Sequence, residues 1–166
     1  MLSSVPDEFA DVRELLEGRF GAAESESELF PFDVTHYYDQ ELGTPIQKQF
    51  LSFTDLIDPG HLAAIKCFTN EVEQLRARER GTQPRRPINL DPGYLDAARL
   101  VLATTKDRSH RIYLGRGIYA EVTLIYEKGV WQALDWTYPD YAAPTYHPFL
   151  ADARRRYLEK LGSARD

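Results

Sequence analysis

Cysteine is nearly missing from this chain of 166 residues, and so are long apolar runs and any excess of positive charge. With Cys67 alone, no internal disulfide can form; that excludes a disulfide-stapled scaffold and makes a reducing cytoplasm the expected compartment. No apolar stretch approaches the roughly 18 residues of a membrane span, so no membrane partner is expected. The opening MLSSVPDEFADVRELL has no basic segment followed by an apolar one and does not read as a signal peptide. Lys and Arg number 20 against 26 Asp and Glu, a net charge of −6. Neutralising phosphates along a nucleic acid takes a basic surface, so no nucleic-acid partner is expected. The GxxxxGK[ST] loop, GxGxxG after a strand, HExxH, GxSxG and CxxC are all missing too. Whether the chain is an enzyme is therefore open, the cofactor is unknown, and no residues are assigned to a metal.

What is present is the balance of a soluble globular protein, 43% apolar and 28% charged, read as one domain over residues 1–166. Aromatic residues reach 12%, with 10 Tyr, enough to line either a core edge or a ligand pocket. Ser4-Val5-Pro6-Asp7 reads as a capping box. Phe9, Val12, Leu16 and Phe20 follow at helical spacing, with Gly21 as terminator. Leu29-Phe30-Pro31-Phe32 reads as an edge strand, because Pro31 cannot donate to a central ladder, and residues 46–53 as a second strand. Asp58-Pro59 starts a helix carrying Leu62, Ile65, Val72 and Leu75 and closed by Gly81. Its arginine-rich end is read as a solvated helix terminus rather than an anion patch. Residues 95–105 fit a helix or a buried strand. Residues 112–126 form a β region turned at Gly115-Arg116-Gly117. Glu127-Lys128-Gly129 is a hairpin signal, and a last amphipathic helix uses Phe149, Leu150, Ala153, Tyr157, Leu158 and Leu161.

This order predicts an α+β fold: a mixed or antiparallel sheet with helices mainly on one face, as a ferredoxin-like element followed by a C-terminal β-meander and helix. The ferredoxin-like element lacks its first strand in this reading, because the chain enters its first helix directly.

Three clusters could carry chemistry. Asp33, His36, Tyr37, Tyr38, Asp39 and Glu41 match no metal-ligand spacing and read as a solvated turn. Lys106, Asp107, Arg108, His110, Arg111, Tyr113 and Arg116 hold four Lys or Arg against one Asp, a formal +3 in an acidic protein. Concentrated cations repel one another unless an anion or neighbouring carboxylates relieve them, and arginine's planar fork suits phosphate or carboxylate. Strand alternation would send His110 and Arg111 to opposite faces. In the third cluster, Asn89, Asp91 and Gly93 stand at a strand end, while Trp136 and Tyr138 would clamp the last helix or stack on a ligand.

Leu29-Phe30-Pro31-Phe32-Asp33, Asn89-Leu90-Asp91-Pro92-Gly93-Tyr94-Leu95, His110-Arg111-Ile112-Tyr113-Leu114-Gly115, Gly117-Ile118-Tyr119-Ala120-Glu121-Val122-Thr123-Leu124 and Trp136-Thr137-Tyr138-Pro139-Asp140-Tyr141 together resemble the DUF4416 family of bacterial and archaeal proteins. The resemblance spans nearly the whole chain and implies no established reaction. Similar proteins begin with an apolar, strand-like segment before the first helix.

The expectation is a cytoplasmic domain that binds a small anionic, phosphorylated ligand through a basic β-hairpin. Lys106, Arg111, Tyr113, Arg116, Asn89 and Tyr138 are the candidate ligand contacts, and His110, Asp91 and Glu121 the candidates for proton transfer. The alternative expectation is a non-catalytic protein-interaction or homodimerisation module.

Overall fold

In the computed structural model, which describes residues 1–81 and 83–163, a strand does precede the first helix. The chain divides into two compact units, one formed by Met1–Asp55 and Cys67–Asp91, the other by Leu56–Lys66 and Pro92–Asp166.

The first unit begins with β1 (Leu2–Ser3), a strand of two residues followed by α1 (Asp7–Phe20). Next come β2 (Ala23–Glu26), β3 (Phe30–Pro31), the short helix α2 (Asp39–Leu42), β4 (Gln47–Lys48) and β5 (Leu51–Phe53). Helix α3 (Leu62–Arg80), which belongs to this unit from Cys67 onward, starts after a 3-10 turn at Pro59–His61, where Gly60 N donates to Asp58 Oδ1 at 2.8 Å. β1 pairs antiparallel with β4 on one side and bridges Asn89 on the other, and β4 pairs antiparallel with β3. β5 pairs antiparallel with β2 as a separate two-stranded ladder. The order is therefore the ferredoxin-like β-α-β-β-α-β with its first strand in place. The expectation of a missing strand is corrected: Leu2–Ser3 is a strand lying between β4 and the bridge to Asn89, and two residues are too few to show a period of two.

Side chains alternate across β1, so Met1 and Leu2 face opposite ways. Val12 and Leu16 of α1, Val72 of α3, Ile88 and Leu90 form a buried cluster with Met1, Leu51 and Phe53 packed against it. This is the helical face, and fully burying each such side chain is worth about 1.5–3 kcal/mol before entropy is charged. On the other face Leu2, Leu42 and Ile46 gather Phe32 and Tyr38, so α2 and its flanks cover it. β3 lies at the edge of its sheet, as Pro31 requires. The capping box does not form. Ser4 donates to Leu42 O, a distant partner that takes its hydroxyl from the helix start. The arginines at the end of α3 pair with carboxylates: Arg76 with Glu8, Asp11 and Glu79, and Arg80 with Glu8.

The second unit is an antiparallel meander. Its strands are β6 (Gly93–Leu95), β7 (Arg99–Thr104), β8 (Ile112–Gly115), β9 (Ile118–Glu127) and β10 (Val130–Ala133). Residues 99–104, within the segment of ambiguous period, are a strand, with Leu100, Val101 and Ala103 buried. The order is β10-β9-β7-β6, with β8 also on β9. The short helix α4 (Pro139–Ala142), a 3-10 turn and α5 (His147–Ser163) complete it. Arg154 fixes α5 to the sheet by donating to Ala97 O at 2.8 Å and lying 3.7 Å over the Tyr126 ring. Among the described residues no helix is long and apolar enough to cross a membrane.

Candidate functional site

A gap in the meander builds the site. β7 pairs with one edge of β9 along residues 119–125, so β8 and β10 share the other edge. β8 takes Ile118–Ala120 and β10 takes Leu124–Glu127, which leaves residues 121–123 without a strand partner on that side. Buried carbonyls need donors. The loop after β10 supplies them: Trp136 Nε1 donates to Val122 O at 2.8 Å and Thr137 Oγ1 to Thr123 O at 2.6 Å. Leu134 N donates to Thr137 Oγ1 at 2.8 Å and fixes that hydroxyl. Trp136 therefore caps the sheet edge.

Glu121 sits in this gap and is only 3% exposed. Its Oε2 lies 2.9 Å from His110 Nε2 and accepts from Arg111 Nε at 2.8 Å, so one carboxylate oxygen holds both neighbours. The alternation expected for His110 and Arg111 is corrected. β8 starts only at Ile112, and Arg111 N donates to Arg108 O at 3.0 Å across a turn, so the period of two does not apply. Arg111 also donates through Nη1 to Lys106 O at 2.8 Å and through Nη2 to Tyr138 OH at 3.2 Å. Burial opposes its charged form, but the bonds to Glu121 and Tyr138 outweigh that and raise its pKa further. Arg111 is thus a fixed cation already spent on Glu121. The His110 ring stacks on Trp136, with centroids 5.1 Å apart and planes at 12°. No hydrogen bond reaches His110 Nδ1 among the described residues.

Lys106 and Arg108 are exposed in the same loop. Tyr119 lies 5.2 Å from Tyr113, ring to ring, and its phenol is pushed up by burial first and by the Asp107 charge second. Arg116, at φ 57° between Gly115 and Gly117, occupies the tip of the β8–β9 hairpin, at the opposite end of β8 from Arg111. Asn89 and Asp91 belong to the first unit. There Asn89 donates to Asp91 at 2.6 Å and accepts from Arg86, which pairs with Glu73 at 2.7 Å and Glu41 at 3.2 Å. The structure thus brings together His110, Arg111, Glu121, Tyr138 and Lys106 within one unit, the last through its carbonyl. In the first charged cluster, His36 meets Asp39 at 2.8 Å in the open, and no three His, Cys, Asp or Glu side chains gather for a metal among the described residues.

Sequence reasoning missed the stacking role of Trp136 and the capping role of Thr137. The signal that could have led to them is Glu121 itself, a charge in the middle of the most β-prone run, which a buried partner has to meet.

The sequence profile of DUF4416, a domain of unknown function, matches residues 1–157. The chain belongs to the DUF4416 family. No curated protein and no solved structure matches this DUF4416 chain, so its chemistry is argued from Glu121 outward. A carboxylate that holds an imidazole by one nitrogen fixes the ring and leaves the other nitrogen to exchange a proton or meet a ligand.

Proposed function

We propose that this DUF4416 protein binds a small anionic ligand, phosphorylated or carboxylate-bearing, at the loop of residues 106–111 in a reducing cytoplasm. His110 is the group that exchanges a proton with it. One observation carries the reading: Glu121 Oε2 receives His110 and Arg111 together in a nearly closed gap of the sheet. Arg111 orders the loop by gripping the Lys106 carbonyl, while the exposed side chains of Lys106 and Arg108 supply charge toward solvent. A neutral His110 donating from Nε2 to Glu121 accepts at Nδ1, and a protonated one donates there. The exposed faces of Trp136 and Tyr138 give the bound molecule an apolar side.

The test is a thermal-shift panel of inorganic phosphate, sugar phosphates and dicarboxylates on the wild type and on Lys106→Ala and Arg108→Ala. A ligand at 100 times its dissociation constant adds about 2.7 kcal/mol, a rise of roughly 5–11 °C for a chain of this size. The expected result is a rise in the wild type that shrinks in both variants, with unchanged melting when no ligand is added. No rise with any anion, or the same rise in all three proteins, contradicts the reading. Arg111→Ala is a poor probe, because it strands a buried carboxylate.

A further inference from the structure

β8 pairs with β9 along one side only, and its other side has no hydrogen-bonded partner among the described residues. Natural edges are blunted by charge, proline or a covering element. β8 has neither charge nor proline: Ile112, Tyr113 and Leu114 are consecutive and 68%, 60% and 40% exposed. Lys106 and Arg108 precede the strand and Arg116 follows it at the hairpin tip, so exposed cations stand at both ends of an apolar edge. We infer that the outer edge of β8 takes up an extended segment of a partner protein as an added strand, with an apolar centre and acidic residues at both ends. The unpaired N–H and C=O groups of β8 would bind the segment's backbone, Ile112 and Tyr113 its alternate side chains, and the flanking cations its acids.

Charge complementarity separates this occupant from a second copy of the chain. Antiparallel β8–β8 pairing would set Arg116 of one copy beside the Arg108 end of the other, like charge against like. The register slip between Tyr113 and Gly115 limits the ladder to a few residues, so the charged ends carry much of the affinity and salt weakens it. The inference rests on the strand edge and does not depend on the anion reading.

The experiment is fluorescence anisotropy with a labelled peptide, Asp-Asp-Val-Thr-Val-Thr-Val-Glu-Glu. Its controls are the same peptide N-methylated at alternate residues and a version with Lys at both ends. The acidic peptide is expected to bind, N-methylation and the Lys ends each to weaken it by about tenfold or more, and Arg108→Glu and Arg116→Glu to do likewise. Equal binding of all three peptides, or none, overturns the inference. So does a micromolar dimer in sedimentation that the peptide cannot dissociate, which would give the edge to a second copy. A thermal rise with inorganic phosphate is read on the same preparation. If the peptide fails while the rise persists, the edge reading falls alone; if the rise fails while the peptide binds, the anion reading falls alone.

Discussion

Glu8 in the first unit and Glu121 in the second are both buried against cations, and the two are held in different ways. Glu8 in the first unit is 1% exposed and uses both oxygens: Arg76 Nε meets Oε2 at 2.9 Å, and Arg76 Nη2 and Arg80 Nη1 meet Oε1 at 3.3 and 3.4 Å. Its partners lie on α3 and never lose their protons, and the bond to Glu8 raises the pKa of Arg76 further. That is a clamp between α1 and α3. Glu121 in the second unit gathers its partners on one oxygen, and one of them is a histidine, whose ordinary pKa is near neutrality. Permanent partners on both oxygens suit structure. A histidine partner whose second nitrogen is unbonded among the described residues suits exchange with a ligand.

The comparison breaks most readily at Glu8. Glu8→Ala leaves Arg76 without its buried counter-charge and is expected to cost on the order of 3 kcal/mol in urea unfolding, with no effect on anion binding. Arg111→Ala is expected to cost about 2 kcal/mol, because Glu121 keeps His110, and also to loosen the loop that Arg111 ties through the Lys106 carbonyl. His110→Ala comes next, at about 1 kcal/mol for one hydrogen bond and a ring stack, yet it should remove most of the anion response. If His110→Ala costs as much as Glu8→Ala and leaves the anion response intact, the two glutamates do the same work and the contrast fails.

The smallest effect sharpens the electrostatics beside the site. Burial and Asp107 both favour the neutral phenol of Tyr119 in the folded chain. Its contribution is therefore complete below the ordinary tyrosine pKa and is lost as pH rises through the higher folded value. Ultraviolet titration should show one tyrosine ionising late, and Asp107→Asn should bring it part of the way back, since burial remains. An unchanged titration in Asp107→Asn would remove Asp107 from that environment.

The helices were legible in the sequence where period and punctuation agreed. Val12 and Leu16 are buried on α1 with Gly21 after it, and Asp58 caps the turn into α3. The β8–β9 hairpin was legible from Gly115-Arg116-Gly117, since left-handed backbone favours glycine. β1 was not, because its strand character comes from pairing with Lys48 and Asn89, which are far away in sequence. The capping box failed for the same reason, its Ser4 hydroxyl being claimed by Leu42 O. At the site, composition singled out His110, Arg111 and Glu121 but could not show that they converge. That depends on β8 starting one residue after Arg111 and on a gap in the pairing along β9. Neither is local.

The most direct measurement is the nitrogen-15 NMR spectrum of the His110 imidazole during titration with inorganic phosphate. The account predicts that Nδ1 shifts on binding while Nε2 keeps the signature of its bond to Glu121, and that the buried indole of Trp131 on β10 does not move. An imidazole left unchanged by phosphate and by every anion of the thermal panel would contradict it and leave Glu121, like Glu8, a clamp.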